Sequence, residues 1–251
     1  MCDSCDGLTR RSLLKSAAAL GVAGGIAGML AACQTEPQAA ESIPDVYDDH
    51  LSEEPGGVRI DPSKIKVPPA QPAQVTEYGE IMPRSAWTGA PLRLANGTPM
   101  DGVTRLTIHH SGDGKAFLGE TTADVARHLQ IVQQAHLQRG MIDIAYHFAV
   151  DRTGRVWQLR WLEYEGQHVR RSPNGTPNNP HNIGVVVLGD FDKQGVTVAQ
   201  RDRLFTMVRL LRGKYSLAQR AVYMHGELVG TSCPGTRLRP LILDARRRGM
   251  F

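Results

Sequence analysis

Residues Asn182-Ile183-Gly184-Val185-Val186-Val187-Leu188 decide the fold. From Ile183 to Leu188 the run is fully apolar, without the in-out alternation of a strand that has one wet face. Such a run suits a central strand covered on both sides. The elements around it should therefore supply partner strands and covering helices.

Upstream, Val103 to His110 reads as a strand rich in β-formers, Val103, Thr104, Thr107 and Ile108. Thr121 to Arg139 reads as a helix. Thr121 with Asp124 forms a capping-box-like start, Val125, Leu129 and Val132 recur on one face, and Gly140 stops it. Ile144 to Asp151, a turn at Arg152-Thr153-Gly154-Arg155, and Val156 to Leu159 read as a hairpin. Arg170 to Pro180, with Pro173, Gly175 and Pro177, reads as a loop. Downstream, Thr197 caps a helix with Gln200 three residues on, and Leu204, Val208 and Leu211 line its buried face. Arg220 to Met224 is a short strand and Leu238 to Arg248 a final helix. Strands and helices intermix, so the class is α/β: a single mixed central β-sheet flanked by helices, over residues 81–251.

The N-terminal part reads differently. Arg10 and Arg11 precede an Ala- and Gly-rich apolar run from Ala17 to Ala32, which resembles a twin-arginine export signal. Leu30-Ala31-Ala32-Cys33 resembles a bacterial lipobox. Residues 1–32 are then a signal peptide, and Cys33 is the lipidated first residue of the mature chain. The competing reading, an uncleaved anchor helix, is weakened by Gly21, Gly24, Gly25 and Gly28. Residues 33–80 read as an extended acidic and proline-rich tether, with seven acidic residues and no Lys or Arg between Gln34 and Glu54. The address is the cell envelope, on a membrane-anchored lipoprotein facing the periplasm or exterior.

Of four cysteines, Cys2, Cys5 and Cys33 belong to this N-terminal part, so Cys233 is left without a disulfide partner. The net charge of +4 is mild and fits an anionic polymer as partner. No basic run with interleaved aromatics occurs, which argues against nucleic acid. Nothing suggests a coiled coil, and a monomer is expected.

His109 ends one strand, and His225 ends another, eight residues before Cys233. Two imidazoles and a thiolate suit zinc, and three protein ligands leave a fourth position for water. By residue type alone, a strand-end histidine is more often a satisfied polar group and a lone cysteine a buried small hydrophobe. The spacing does not choose between these readings.

The segments Ile108-His109-His110-Ser111, Asp143 to Phe148, Asn182 to Val185 and His225 to Cys233-Pro234-Gly235 resemble the N-acetylmuramoyl-L-alanine amidase family. That family includes phage lysozyme-type amidases and the peptidoglycan recognition proteins. Pro83 to Trp87 also looks like the start of a recognition-protein domain. The resemblance implies Zn2+ on His109, His225 and Cys233, with Tyr146 and Thr231 catalytic, Thr231 at the position where recognition-protein amidases carry Thr and phage enzymes carry Lys. It implies hydrolysis of the amide between N-acetylmuramic acid and L-alanine of the stem peptide. The partner is then peptidoglycan or its muropeptides. Two other readings stay open: a non-catalytic peptidoglycan-binding module, and a zinc peptidase cutting within the stem peptide. Glu227 is a weak alternative to Tyr146 as general base.

His168, in a Gly-x-His segment, reads as a residue that binds substrate or supports the site from behind, or else as a plain loop histidine; Asn182 reads as a substrate-binding residue or as the cap of the loop before the strand. His110 and His147 should point away from His109 and Tyr146, because strand side chains alternate. His128 and His136, on one helix, are expected at its surface or rim.

Overall fold

The computed structural model describes residue 60 and residues 62–92, 97–172 and 174–251. The expected signal peptide, Cys33 and most of the stretch expected to be a tether lie outside these residues. Among the described residues, no helix is long and apolar enough to cross a membrane.

Seven strands make one mixed sheet: β1 (Gln74–Thr76), β2 (Gly79–Met82), β3 (Arg105–His110), β4 (Phe148–Val150), β5 (Val156–Gln158), β6 (Asn182–Val187) and β7 (Val222–Met224). Their order is β1-β2-β5-β4-β6-β3-β7. The apolar run is β6, and all six of its residues are buried. It pairs in parallel with β3 from Arg105↔Asn182 to His110↔Val187, and with β4 from Phe148↔Val185 to Val150↔Val187. β4 and β5 form the expected antiparallel hairpin, Val150 opposite Val156.

Side chains alternate across β6 into two cores. Ile183, Val185 and Val187 join Leu106, Ile108 and Met224 against Leu204, Val208 and Leu211 of helix α2 (Val198–Lys214) and Ile242 of helix α4 (Arg239–Arg247). Val186 and Leu188 face the other way, with Ala149 and Trp157, onto Val125, Leu129 and Val132 of helix α1 (Thr122–Gln138). Both long helices start as their sequences direct. Thr121 and Asp124 form a complete capping box on α1, and Thr197 and Gln200 form one on α2. A short helix α3 (His225–Val229) follows β7 directly.

Four features differ from the sequence reading. First, the sheet starts before residue 81. β1 and β2 pair as a hairpin within and just beyond the stretch read as tether, with Thr76 opposite Gly79, and Ile65 is already buried. All three β1 residues are exposed, so no apolar alternation marks this edge strand.

Second, residues 144–147 do not join β4. The Ile144 N–H is taken by Asp143 Oδ1 and the Ala145 N–H by His136 Nδ1. Arg160 Nε donates to the Ile144 carbonyl. Side chains satisfy backbone groups that a strand would otherwise pair.

Third, His136 and His128 are not at a surface or rim. His136 is buried, where its ring accepts the Ala145 N–H. His128 is buried with Nε2 3.2 Å from Asp113 Oδ2 and its ring stacked on Phe117. Fourth, His225 begins α3 rather than ending a strand.

Candidate metal and active site

The parallel pairing of β3 and β7 places Ile108 opposite Met224. One step further along each strand lie His109 and His225, whose ring centroids are 4.6 Å apart. Helix α3 then reverses the chain. Gly230 ends it in the left-handed region (φ 67°), which returns Cys233 to the same place. The return is tight. Gly226 N–H bonds the Cys233 carbonyl at 2.9 Å, and a Cβ on Gly226 would lie 2.3 Å from the Thr231 carbonyl oxygen.

His109, His225 and Cys233 are all buried, and one ligand atom from each lies within 4.8 Å of the others. Cys233 Sγ is 3.8 Å from His109 Nδ1. Zinc–nitrogen and zinc–sulfur bonds at a tetrahedral angle would set that pair roughly 3.6 Å apart. The donor set and its spacing therefore fit zinc.

A hydrogen-bond chain fixes which nitrogen of His109 faces this cluster. His168 Nε2 lies 3.0 Å from the Asn182 carbonyl, which can only accept, so His168 Nε2 carries the proton. His168 Nδ1 is then an acceptor, and His109 Nε2, 2.9 Å away, donates to it. His109 Nδ1 is left with its lone pair aimed toward Cys233. Burial pushes the His168 pKa down to about 3, so the ring is neutral, as this chain requires. Its imidazole lies against two glycines. A Cβ at Gly166 or Gly184 would come within 2.4 or 2.6 Å of His168 Cδ2. Gly184, in the middle of the central strand, makes room for this ring.

Tyr146 is buried beside the cluster, its ring 5.0 Å from that of His109 and 5.6 Å from that of His136. Thr231 Oγ1 is buried and has no hydrogen-bond partner among the described residues. An unpaired buried hydroxyl costs free energy, which a ligand accepting its proton would recover.

His168 and Asn182 both lie inside the fold. His168 is buried and bonds His109 and the Asn182 backbone. Asn182 is buried too: its Oδ1 accepts from Thr107 Oγ1, and its Nδ2 donates to the Asn178 carbonyl. Neither presents a polar atom to a substrate. His109 and His168 are 59 residues apart in sequence, and His168, in the loop before β6, is held by the carbonyl of Asn182, the first residue of that strand.

Glu227 is also fully engaged. Its carboxylate accepts from Met224 N–H at 2.7 Å and from Arg246 at 2.7 and 2.6 Å. Burial opposes its charge, but these bonds outweigh that effect and hold its pKa below the ordinary value. It is a cap and an ion-pair partner, not a free base.

His110 lies on β3 beside His109 and points away from the cluster, as alternation requires, while His147 lies outside β4 with its ring 5.9 Å from that of His168. His110 Nδ1 accepts from Phe191 N–H. His147 Nδ1 accepts from Gly184 N–H, and its Nε2 donates to the Tyr164 carbonyl. His110 also lies near Asp190 and Asp192. Those carboxylates are engaged by the Asp192 and Thr236 backbone N–H groups.

Known proteins share this fold, and some share part of this sequence. A bumblebee recognition protein, PGRP-SA, superposes with a TM-score of 0.57 at 20% identity, covering 65% of this chain and 93% of that one. A peptidoglycan-recognition protein of Drosophila melanogaster is 26% identical over 163 residues, 64% of this chain and 84% of its own length. An N-acetylmuramoyl-L-alanine amidase of Sus scrofa is 31% identical over 166 residues, which are 63% of this chain but 26% of that protein. The family model for N-acetylmuramoyl-L-alanine amidase matches residues 98–236, more than half of the chain and all of the cluster just described. The chain belongs to the N-acetylmuramoyl-L-alanine amidase family.

Proposed function

We propose that this protein is a zinc-dependent amidase that cleaves the bond between N-acetylmuramic acid and the L-alanine of the peptidoglycan stem peptide. The observation that carries the reading is the buried group His109, His225 and Cys233, with His109 Nδ1 left unprotonated by the chain through His168. A recognition module that only binds its ligand has no need of this donor set or of a device that fixes the tautomer.

His109, His225 and Cys233 hold the metal, and Cys233 does so as the thiolate. Zinc in such a site supplies Lewis acidity to a carbonyl oxygen and to a water. His168 holds the proton on His109 Nε2 away from the metal side and orients the ring. The unpartnered Thr231 hydroxyl donates a hydrogen bond to the oxygen on which negative charge develops, and Tyr146, whose ring packs beside that of His109, donates a second. Burial of the cluster excludes bulk water and strengthens each of these interactions.

The envelope address extends the same reading. Residues 1–32 direct export, Cys33 carries the lipid, and the segment from Cys33 toward residue 80 spaces the catalytic part, residues 81–251, from the membrane. The protein acts as a monomer. The test is digestion of purified peptidoglycan, with mass analysis of what is released. Stem peptides with a free L-alanine amino group support the proposal. Retention on the polymer without release would establish a binding module instead, and fragments cut inside the stem would establish a peptidase.

A further inference from the structure

The last part of the chain is charged unlike the rest. Residues 197–251 carry eleven Lys and Arg against three acidic side chains, whereas residues 34–196 carry fifteen against twenty. Five of these basic side chains, Arg209, Arg220, Arg239, Arg247 and Arg248, are exposed on or beside helix α4. Helix α4 buries Ile242 and Ala245 and turns Arg239, Leu243 and Arg247 outward, each four residues after the last. Arg248 and the exposed Met250 continue that stripe. Arg209 of α2 joins it by donating to the Met250 carbonyl. The turn carrying the exposed Arg220 is tied to α4 where Gln219 Nε2 donates to the Arg246 carbonyl. The one acid on the α4 stripe, Asp244, is shared between Arg247 and Arg248.

We propose that this face docks on a bilayer containing anionic phospholipid. Its charge complements lipid phosphates, which guanidinium groups bind through paired hydrogen bonds. The exposed Leu243 and Met250 select lipid over a soluble acidic polymer. Set among the arginines, they enter the headgroup layer, as apolar residues of an interfacial helix do, while a hydrated polymer offers them nothing to bury in. Orientation agrees. α2 and α4 cover the face of the sheet opposite the one that carries α1, Tyr146 and His109. Docking by this face therefore leaves the metal cluster's side of the sheet directed away from the bilayer. Neither the charged face nor its docking depends on the amidase reading.

The test is vesicle flotation of the full chain, using phosphatidylcholine vesicles with and without phosphatidylglycerol. A variant carrying Arg239→Ser, Arg247→Ser and Arg248→Ser is compared with the unsubstituted protein. The N-terminal segment is common to both and cancels in the comparison. Each arginine at an anionic surface contributes about fivefold in partitioning, so the variant should bind phosphatidylglycerol vesicles about a hundredfold more weakly and phosphatidylcholine vesicles unchanged. Leu243→Ser should weaken the same binding, and high salt should abolish the difference between the two vesicle types. Equal partitioning of protein and variant overturns the proposal. So does a loss that appears on purified peptidoglycan instead of on vesicles. Thermal melting of the variants near that of the unsubstituted protein shows that the exposed substitutions leave the fold intact.

Discussion

Replacing His168 by Leu keeps a side chain of similar bulk between Gly166 and Gly184 but removes both of its hydrogen bonds. Two buried groups then lose their partners, the His109 Nε2–H at 2.9 Å and the Asn182 carbonyl at 3.0 Å. Each unpaired group costs about 1–3 kcal/mol. His109 can relieve its share by moving the proton to Nδ1, the nitrogen that faces Cys233, and that tautomer cannot bind a metal there. The zinc affinity of His168→Leu should therefore fall by about 10- to 100-fold, the usual effect of losing the group behind a ligating histidine. That corresponds to about 1.4–2.7 kcal/mol of binding free energy.

The assay is competition for zinc against a chromophoric chelator, with unfolding followed in parallel to separate metal loss from global destabilisation. His168→Asn provides the control. Its Oδ1 occupies the position of the ring Nδ1 and still accepts from His109, so affinity should recover in part. A folded His168→Leu protein that binds zinc as tightly as the unsubstituted one would refute the tautomer argument.

Other outcomes follow from the same geometry. Gly226→Ala drives a Cβ against the Thr231 carbonyl at 2.3 Å, and backbone cannot yield as a flexible side chain can. The Cys233 loop should shift, with zinc retention lost and stability reduced by about 1–3 kcal/mol in a melting experiment. Thr121→Ala removes one capping box and should cost about 1 kcal/mol without changing metal content, as read by denaturant titration. Burial holds the pKa of His136 near 3 and that of His147 near 4, both well below the unfolded value of about 6.5. The unfolded chain therefore binds more protons than the folded one between those limits, so stability should fall as pH is lowered from about 6.5 to 4. A melting temperature that stays level or rises on acidification across that window contradicts the assignment of neutral buried rings.

Much of this structure was legible in the chain because its strongest signals are local. The unbroken apolar run of β6, the Thr-x-x-Asp and Thr-x-x-Gln caps of α1 and α2, and the β4–β5 turn each depend on residues a few positions apart. The candidate metal site was legible only through resemblance, since the β3–β7 register that brings His109 to His225 leaves no mark in either segment alone. What escaped was decided by long-range satisfaction of polar groups. His136 resembled a rim residue, yet its Nδ1 takes the Ala145 N–H, and Asp143 and Arg160 likewise take the backbone N–H and carbonyl of Ile144. For His168 and Asn182 the sequence left substrate-binding and supporting roles open, and the structure engages their polar atoms inside the fold. The β1 edge strand could not be read because none of its residues is buried.

Three side chains meeting at one metal carry the proposed chemistry, and the most direct measurement is the metal content of the purified protein beside its Cys233→Ser counterpart. The prediction is about one zinc per folded chain after dialysis, and little or none in the serine variant. A well-folded protein that carries no zinc, or a serine variant that holds it as firmly, would contradict the account.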